Sequence, residues 1–215
     1  MKIILIRHAE NSGDPFETPG RCARGFLSKK KGVGQALKLR KYLDTEKIDV
    51  VLCSTLGRAI ETAEIAMGKR KIKFVLCDFL KEWMPNPELE SLADTKHEAI
   101  LRQNKDKHAE ETWKTDLGEG AFDMMARICP PFLEELKKLG IRPKFGGFVP
   151  SDKGEKLTVA VFAHGGSLNV LLSFLLELRP FPVGRFSFAL TGVAEIEFTE
   201  MNGVFYPHLK IPAPY

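Results

Sequence analysis

The stretch IILIRHAENSG, residues 3–13, joins a short apolar run to an arginine and a histidine. The run consists of β-branched residues and leucine and is too short to span a membrane, which is typical of a buried strand. Arg7 and His8 then lie at the end of that strand. Because ligands bind beyond the carboxyl ends of strands in open α/β sheets, this position predicts a ligand site that includes both side chains.

The composition is that of an ordinary globular protein. The 215 residues are 44% hydrophobic and 28% charged, which is enough apolar material for one sizeable core, so we expect a single domain over 1–215. The formal net charge of +4 comes from lysines and arginines spread along the chain. It therefore suits a small phosphorylated partner and does not indicate nucleic acid.

Neither an export signal nor a membrane segment is evident. The first strand begins without a basic segment before it, and every apolar run is shorter than a membrane-spanning helix. The cysteines lack CxxC spacing, so we expect reduced thiols at Cys22, Cys53, Cys77 and Cys129. These observations favour a cytoplasmic protein with no membrane partner. No heptad pattern predicts its oligomeric state.

Strand and helix patterns alternate along the chain. Further buried strands are predicted at 49–53, 73–77 and 157–164. Helical periodicity covers 31–43, the stretch after Arg58, 122–139 and 167–178. Pro130 and Pro131 make the third of these helices either one kinked helix or two short ones. The alternation predicts an α/β three-layer sandwich, in which helices flank a mostly parallel sheet.

The remaining segments predict edge strands and loops. Apolar and acidic side chains alternate over 194–198, and Asn202-Gly203 forms a turn before another apolar run, so an antiparallel hairpin is expected at the sheet edge. The polar segment 141–156 contains glycine and is interpreted as a loop. The polar stretch 85–120 is interpreted as a surface insertion without catalytic groups.

Three of the predicted strands end in groups that can bind phosphate. These groups are Arg7-His8, Ser54 followed by Arg58, and His164-Gly165-Gly166. Parallel strands bring their carboxyl ends together, and guanidinium groups bind phosphoryl oxygens in two-point fashion, which suits Arg7 and Arg58. A neutral imidazole is a competent nucleophile for phosphoryl transfer. The residue pattern alone leaves both His8 and His164 open for that role.

Two further features complete the predicted chemistry. Gly165 and Gly166 open a helix, whose free N–H groups and positive dipole end favour an anion. A leaving alkoxide also needs a proton, which a carboxyl group beside the site can donate. Glu82, in the segment LKEW at 80–83, is the candidate for this role, and Asp78 is its nearest rival.

The order of these segments resembles the histidine phosphatase superfamily, which includes the phosphoglycerate mutase-like enzymes. The family's motifs correspond to LIRHA, LSKKKGVGQA, STLGRAIETA, LKE and AHGGSL, and they cover most of the chain outside 85–120. The resemblance implies that His8 is the nucleophile, Glu82 the proton donor and His164 a second catalytic histidine. The predicted phosphate-binding residues are Arg7, Arg58, Asn11 and Gly165.

The reaction that this resemblance implies is a double displacement on a phosphomonoester of a small metabolite or of a phosphoprotein. His8 takes the phosphoryl group as phosphohistidine, Glu82 protonates the leaving oxygen, and water then releases phosphate without a metal or another cofactor. Two alternatives stay open. One is a phosphoglycerate mutase, and the other is a catalytically silent protein that binds a phosphorylated ligand.

Two positions depart from the family pattern. Ala9 stands where glycine is usual, and Asp14 has the spacing of an asparagine near the phosphate, whereas Asn11 comes earlier. We expect the loops over 11–32 and 85–120 to select the substrate, because they follow the strand ends and the resemblance fades there.

Other polar side chains of these loops are interpreted as surface groups. Arg21 and Arg24 are solvated loop charges rather than substrate contacts in this interpretation. His97 and His108 have glutamates beside them but lack the close spacing of metal ligands. The sequence therefore predicts no metal site.

Overall fold

The computed structural model describes residues 1–11, 27, 30–90, 96, 99, 100, 118–180 and 185–210. Within these residues, an eight-stranded sheet has helices on both faces, and the predicted three-layer α/β architecture is confirmed. The strands are β1 (Lys2–Arg7), β2 (Val50–Ser54), β3 (Lys73–Cys77), β4 (Ile141–Lys144), β5 (Gly147–Pro150), β6 (Thr158–Ala163), β7 (Val193–Met201) and β8 (Val204–Lys210). The helices are α1 (Lys31–Leu43), α2 (Gly57–Met67), α3 (Pro87–Glu90), α4 (Ala121–Lys138) and α5 (Gly165–Leu175), with 3-10 turns at Asp78–Leu80 and Gly154–Lys156.

The sheet has a parallel half and an antiparallel half. Its strand order is β3-β2-β6-β1-β7-β8-β5-β4. The pairs from β3 to β1 are parallel, and the pairs from β1 to β4 are antiparallel. The carboxyl ends of β1, β2 and β6 therefore lie together at one end of the sheet, where the sequence places Arg7, Ser54 and His164.

The central strands bury both of their faces. On β1, Ile3 and Leu5 face a core cluster formed with α4 and α5, whereas Ile4 and Ile6 face a second cluster formed with α1 and α2. All four side chains are fully buried. Because successive side chains of a strand point to opposite faces, a central parallel strand covered by helices on both sides is apolar throughout.

The segment after α4 is a hairpin, so the prediction of a loop over 141–156 is wrong. Strands β4 and β5 pair antiparallel around Phe145 and Gly146, whose φ angles are 48° and 73°. In the described residues β4 is the last strand of the sheet, and Pro143 is tolerated there because its missing N–H interrupts no central ladder. The predicted C-terminal hairpin β7–β8 is present, but it lies inside the sheet because β5 and β4 extend it.

The helix boundaries differ from the sequence patterns in detail. Helix α4 is one element that contains both Pro130 and Pro131. It ends at Lys138, and the φ of 81° at Gly140 and its hydrogen bond to the last turn are typical of a residue just beyond a helix. Helix α5 begins before the predicted Ser167 and stops before Glu177, whose φ of 55° is not helical.

Some sequence interpretations lie outside the described residues. They concern Asp14, Arg21, Cys22, Arg24, His97, His108 and most of the 85–120 stretch. The other three cysteines, Cys53, Cys77 and Cys129, are buried free thiols. None of the helices in the described ranges is long and apolar enough to cross a membrane.

Candidate active site

The strand ends meet as the sequence predicts. Arg7 is the last residue of β1, Ser54 is the last residue of β2, and His8 and His164 directly follow β1 and β6. The backbone N–H of His8 donates to the carbonyl of Ala163 at 3.0 Å, which joins the ends of the two central strands. The two imidazole ring centroids are 5.0 Å apart. Both histidines are buried.

Arg58 lies at the start of α2 and contacts His8. Its side chain is buried, and its Nε donates to Nε2 of His8 at 3.2 Å. Because a guanidinium group only donates hydrogen bonds, Nε2 of His8 presents its lone pair to this side of the pocket. The other ring nitrogen, Nδ1, lies 2.7 Å from the carbonyl oxygen of Ala9 and carries the proton in this arrangement. This tautomer leaves Nε2 as the nucleophilic nitrogen.

Burial and positive neighbours keep both imidazoles neutral. Burial, followed by the charges of Arg58 and Arg7, lowers the pKa of His8 to about 3, although the hydrogen bond to Ala9 acts in the opposite direction. Burial is also the main cause that holds the pKa of His164 well below its usual range, and Arg58 is the next cause. Both rings are therefore uncharged at neutral pH, which is the state that a nucleophile needs.

Ser54 orients the ring of His164. Its Oγ lies 2.8 Å from Nε2 of His164 and accepts the N–H of Leu56 at 3.3 Å. In the tautomer in which Nε2 accepts the hydroxyl proton of Ser54, Nδ1 of His164 carries hydrogen. Nδ1 of His164 and Nε of Arg7 are both buried without a hydrogen-bond partner among the described residues. Buried donors of this kind can be satisfied by a bound anion.

Arg7 is held against the start of α5. One terminal N–H group of its guanidinium donates to the carbonyl of Phe188 at 2.6 Å. A Cβ atom placed on Gly165 would lie 3.6 Å from the guanidinium carbon of Arg7, so the first residue of α5 is close to this charge. The structure thus brings Gly165 next to Arg7, and its role in phosphate binding stays a prediction.

Glu82 reaches the same end of the sheet from the loop after β3. Its carboxylate accepts the N–H groups of Gly166 and Ser167, each at 3.1 Å, and that of Trp83 at 3.0 Å. A Cβ atom on Gly166 would lie 2.5 Å from Oε1 of Glu82, so this approach requires glycine. The prediction that the first amides of α5 are free for phosphate is therefore wrong for Gly166 and Ser167, because the Glu82 carboxylate occupies them.

Two other predicted residues have different surroundings. Asp78 is mostly exposed, and its carboxylate accepts the hydroxyl of Thr55 at 2.9 Å and pairs with Lys81 at 2.5 Å. Asn11 forms an antiparallel bridge with Leu27. The phosphate-binding role of Asn11 stays a prediction.

Thr62 is a supporting residue that the sequence interpretation missed. Its Oγ1 accepts the N–H of Ala9 at 2.9 Å and donates to the carbonyl of Arg58 at 2.6 Å, which links the end of β1 to α2. The spacing of one helical turn after Arg58 is the signal that could have indicated it. The fully buried Ala9 packs with Leu27 and Ala36, so a small apolar cluster accommodates the methyl group that replaces the usual glycine hydrogen.

Comparison with known proteins identifies the family. The model of the histidine phosphatase superfamily (branch 1) matches residues 3–206. The chain belongs to this family. A probable phosphatase of Schizosaccharomyces pombe is 26% identical over 214 residues, which cover 93% of this chain and 88% of that protein. An adenosylcobalamin/alpha-ribazole phosphatase of Salmonella typhi is 28% identical over 186 residues, which cover 83% of this chain and 81% of that protein.

A solved structure shows the same histidine phosphatase fold. Mycobacterial glucosyl-3-phosphoglycerate phosphatase superposes with a TM-score of 0.74 at 20% identity, over 98% of this chain and 97% of the other. These relatives carry phosphatase names, and the strand ends of this chain bring together guanidinium groups, neutral imidazoles and a carboxylate. Such a pocket can bind a phosphoryl group, offer it a nucleophile and exchange a proton with its ester oxygen.

Proposed function

We propose that the chain is a phosphatase that hydrolyses phosphomonoesters through a phosphohistidine at Nε2 of His8. The observation that supports this most directly is the tautomer of His8. Its Nδ1 proton is bonded to the carbonyl of Ala9, and its Nε2 lone pair faces the guanidinium group of Arg58. A neutral imidazole thus presents one nucleophilic nitrogen to a place where arginines stabilise phosphoryl oxygens.

The first half-reaction transfers the phosphoryl group to His8. Nε2 gives up the hydrogen bond from Arg58 and attacks phosphorus, the bond between phosphorus and the ester oxygen breaks, and the bonding electron pair stays on that oxygen. A protonated Glu82 donates its proton to the departing oxygen, so that an alcohol leaves rather than an alkoxide. The carbonyl of Ala9 accepts the hydrogen bond from Nδ1–H of His8 throughout this step. This hydrogen bond stabilises the positive charge that develops on the ring.

Water completes the cycle. The Glu82 carboxylate takes a proton from water as the water oxygen attacks phosphorus, the bond between phosphorus and Nε2 breaks, and its electrons return to His8. Inorganic phosphate leaves, and Glu82 is again protonated. In both half-reactions, the buried donors Nδ1–H of His164 and Nε–H of Arg7 bind phosphoryl oxygens, which satisfies them and stabilises the charge of the transition state.

We propose a small phosphorylated metabolite as the substrate. Two similar proteins are named for substrates of this kind, alpha-ribazole and glucosyl-3-phosphoglycerate. The phosphate group would be held by the buried strand-end residues, and the loops beyond the strand ends would select the rest of the molecule.

The test is phosphate release from an aryl phosphate and from a panel of metabolite phosphates, with a chelator present. We expect turnover by the wild type and a loss of at least about 10³-fold in kcat for His8→Ala. Rapid denaturation during turnover should trap a phosphohistidine in the wild type and none in His8→Ala. The control variant His208→Ala, at a half-exposed position on β8, should keep wild-type turnover.

Two results would contradict the proposal. Turnover that survives His8→Ala would mean that another group is the nucleophile. Transfer of the phosphoryl group to an added phosphoglycerate, in preference to water, would identify a mutase instead of a phosphatase.

A further inference from the structure

Glu82 lies on a loop whose backbone has no regular secondary structure. The loop joins the 3-10 turn Asp78–Leu80 to α3. A proton donor must reach the leaving oxygen within hydrogen-bond distance, and a displacement of about 1 Å can lower a rate about 10²-fold. The N–H groups of α5 hold the carboxylate, but the backbone that carries it needs separate support. Helix α4 supplies this support.

Arg127, on α4, binds the backbone of this loop. One terminal nitrogen, Nη1, donates to the carbonyls of Phe79 at 2.8 Å and Lys81 at 3.2 Å. The other terminal nitrogen, Nη2, donates to the carbonyl of Glu82 itself at 3.2 Å. A single planar guanidinium group therefore holds three carbonyls on the N-terminal side of the Glu82 loop in one fixed arrangement.

Glu119 neutralises Arg127 and holds the C-terminal side of the loop. Its carboxylate accepts Nε of Arg127 at 2.6 Å and Nη2 at 2.7 Å, and also the N–H of Met84 at 3.0 Å. Its backbone N–H donates to the Met84 carbonyl at 3.0 Å, and its carbonyl accepts the indole N–H of Trp83 at 2.6 Å. The two charged side chains are only 18% and 13% exposed, so solvent and salt screen this two-point ion pair weakly.

We propose that Arg127 and Glu119 form a clamp that positions the proton donor Glu82, an inference that rests on the proposed function. The five N–H groups of the guanidinium all donate either to the Glu82 loop or to Glu119. Glu119 belongs to the end of the predicted 85–120 insertion, next to the bridge between Pro85 and Gly118. The base of that insertion therefore contributes to the active site through the clamp.

Arg70 offers a matched control. Its guanidinium also binds three backbone carbonyls, those of Met67 at 3.0 Å, Leu43 at 2.9 Å and Ala66 at 3.0 Å. These carbonyls belong to the last turns of α1 and α2 rather than to the Glu82 loop. Arg70→Lys therefore removes the same kind of interaction from a different part of the molecule.

The test compares two esters that differ in leaving group, an alkyl phosphate and dinitrophenyl phosphate. The alkoxide needs a proton to leave, whereas dinitrophenolate leaves without one. We expect Glu82→Gln to lower kcat/KM about 10²-fold, and Arg127→Lys about 10-fold, on the alkyl ester, and both to lower it less than about 3-fold on the aryl ester. The comparison uses kcat/KM because this constant reports phosphoryl transfer to His8 and excludes the later hydrolysis, in which Glu82 acts as a base for both esters. Glu119→Gln, which keeps its shape, should change kcat/KM in the same pattern. Arg70→Lys should affect both esters equally, and thermal unfolding shows which variants are folded at the assay temperature.

The double variant separates positioning from general stabilisation. With Glu82→Gln already present, Arg127→Lys should lower kcat/KM less than about 3-fold on either ester, because no proton donor is left to position. Equal losses of kcat/KM on both esters for Arg127→Lys and Glu119→Gln, or an undiminished loss in the double variant, would overturn the clamp and leave the proposed function intact. A Glu82→Gln variant that lowers kcat/KM equally on both esters, or a wild type that hydrolyses neither, would overturn the proposed function and the clamp with it.

Discussion

Buried polar groups have different partners in the two halves of the sheet. At the end of the parallel half, Nε of Arg7 and Nδ1 of His164 are buried without a hydrogen-bond partner in the described part of the chain. In the antiparallel half, the buried Oε2 of Glu195 on β7 also lacks a hydrogen bond within the described residues, but its charge is compensated by ion pairs with Lys2 at 2.9 Å and Lys210 at 3.6 Å. Leaving a buried donor unpaired destabilises a fold by about 1–3 kcal/mol. The unpaired donors therefore occur where a bound anion can satisfy them.

This difference separates two kinds of variant. Substitutions around the parallel strand ends should change catalysis, because those side chains bind or orient the reacting groups under the proposed function. Substitutions around Glu195 should change stability alone, because its charge is already balanced within the fold. Each prediction below tests one part of this separation.

Among the variants that test this difference, Arg58→Lys should have the largest effect on catalysis. Lysine keeps one positive charge but loses the Nε hydrogen bond to His8 and the second donor to a phosphoryl oxygen, so kcat/KM should fall about 10²- to 10³-fold. The control is Lys210→Gln in the antiparallel half, where the side chain is about half exposed. It should keep kcat/KM and change the free energy of unfolding by less than about 1 kcal/mol. Similar losses of kcat/KM in the two variants would contradict the separation.

A smaller effect is expected for Gly166→Ala. The added methyl group would lie 2.5 Å from Oε1 of Glu82, so the carboxylate must move, and kcat on an alkyl phosphate should fall about 10- to 10²-fold. The matched control is Gly34→Ala on α1, where no heavy atom of the described residues lies within 4 Å of the new Cβ. It should raise the free energy of unfolding by about 0.5–1 kcal/mol and leave kcat unchanged. Unchanged kcat in Gly166→Ala would mean that the observed position of the Glu82 carboxylate does not determine the rate.

The parallel half was the more predictable part of the molecule. Its strands are apolar on both faces, so a short run such as residues 3–6 indicates a buried central strand, and the polar residues that follow it mark the strand end. The hairpin over 141–150 was missed because its prolines and glycines are typical of loops. They are tolerated on an edge strand, and the sequence does not show which strand lies at the edge.

Within the site, the residues that follow strands were predicted and their supports were not. Thr62 lies within a motif, yet its contact with Ala9 depends on how α2 packs against β1. Arg127 is 45 residues from Glu82 in sequence and lies on a helix whose periodicity indicates only a buried face. Contacts of this kind come from packing between distant elements, and a local pattern does not encode them.

The last effect concerns the dependence of stability on pH. The pKa of His8 is about 3 in the folded protein, below the value of about 6.5 expected for an unfolded chain. Between these values the unfolded chain binds a proton at His8 that the folded chain does not. The free energy of unfolding should therefore decrease as pH falls below about 6.5, by about 1.4 kcal/mol per pH unit from this group, until pH reaches about 3.

His8→Gln removes this contribution, because the amide does not titrate and its oxygen can still accept the hydrogen bond from Arg58. Urea unfolding in phosphate-free buffer should give a shallower pH slope for His8→Gln than for the wild type, whereas Gly34→Ala should keep the wild-type slope. Part of the slope should persist in His8→Gln, because burial also keeps the pKa of His164 low. Equal slopes in the wild type and His8→Gln would mean that His8 is not buried as a neutral imidazole, and the assignment of Nε2 as nucleophile would lose its basis.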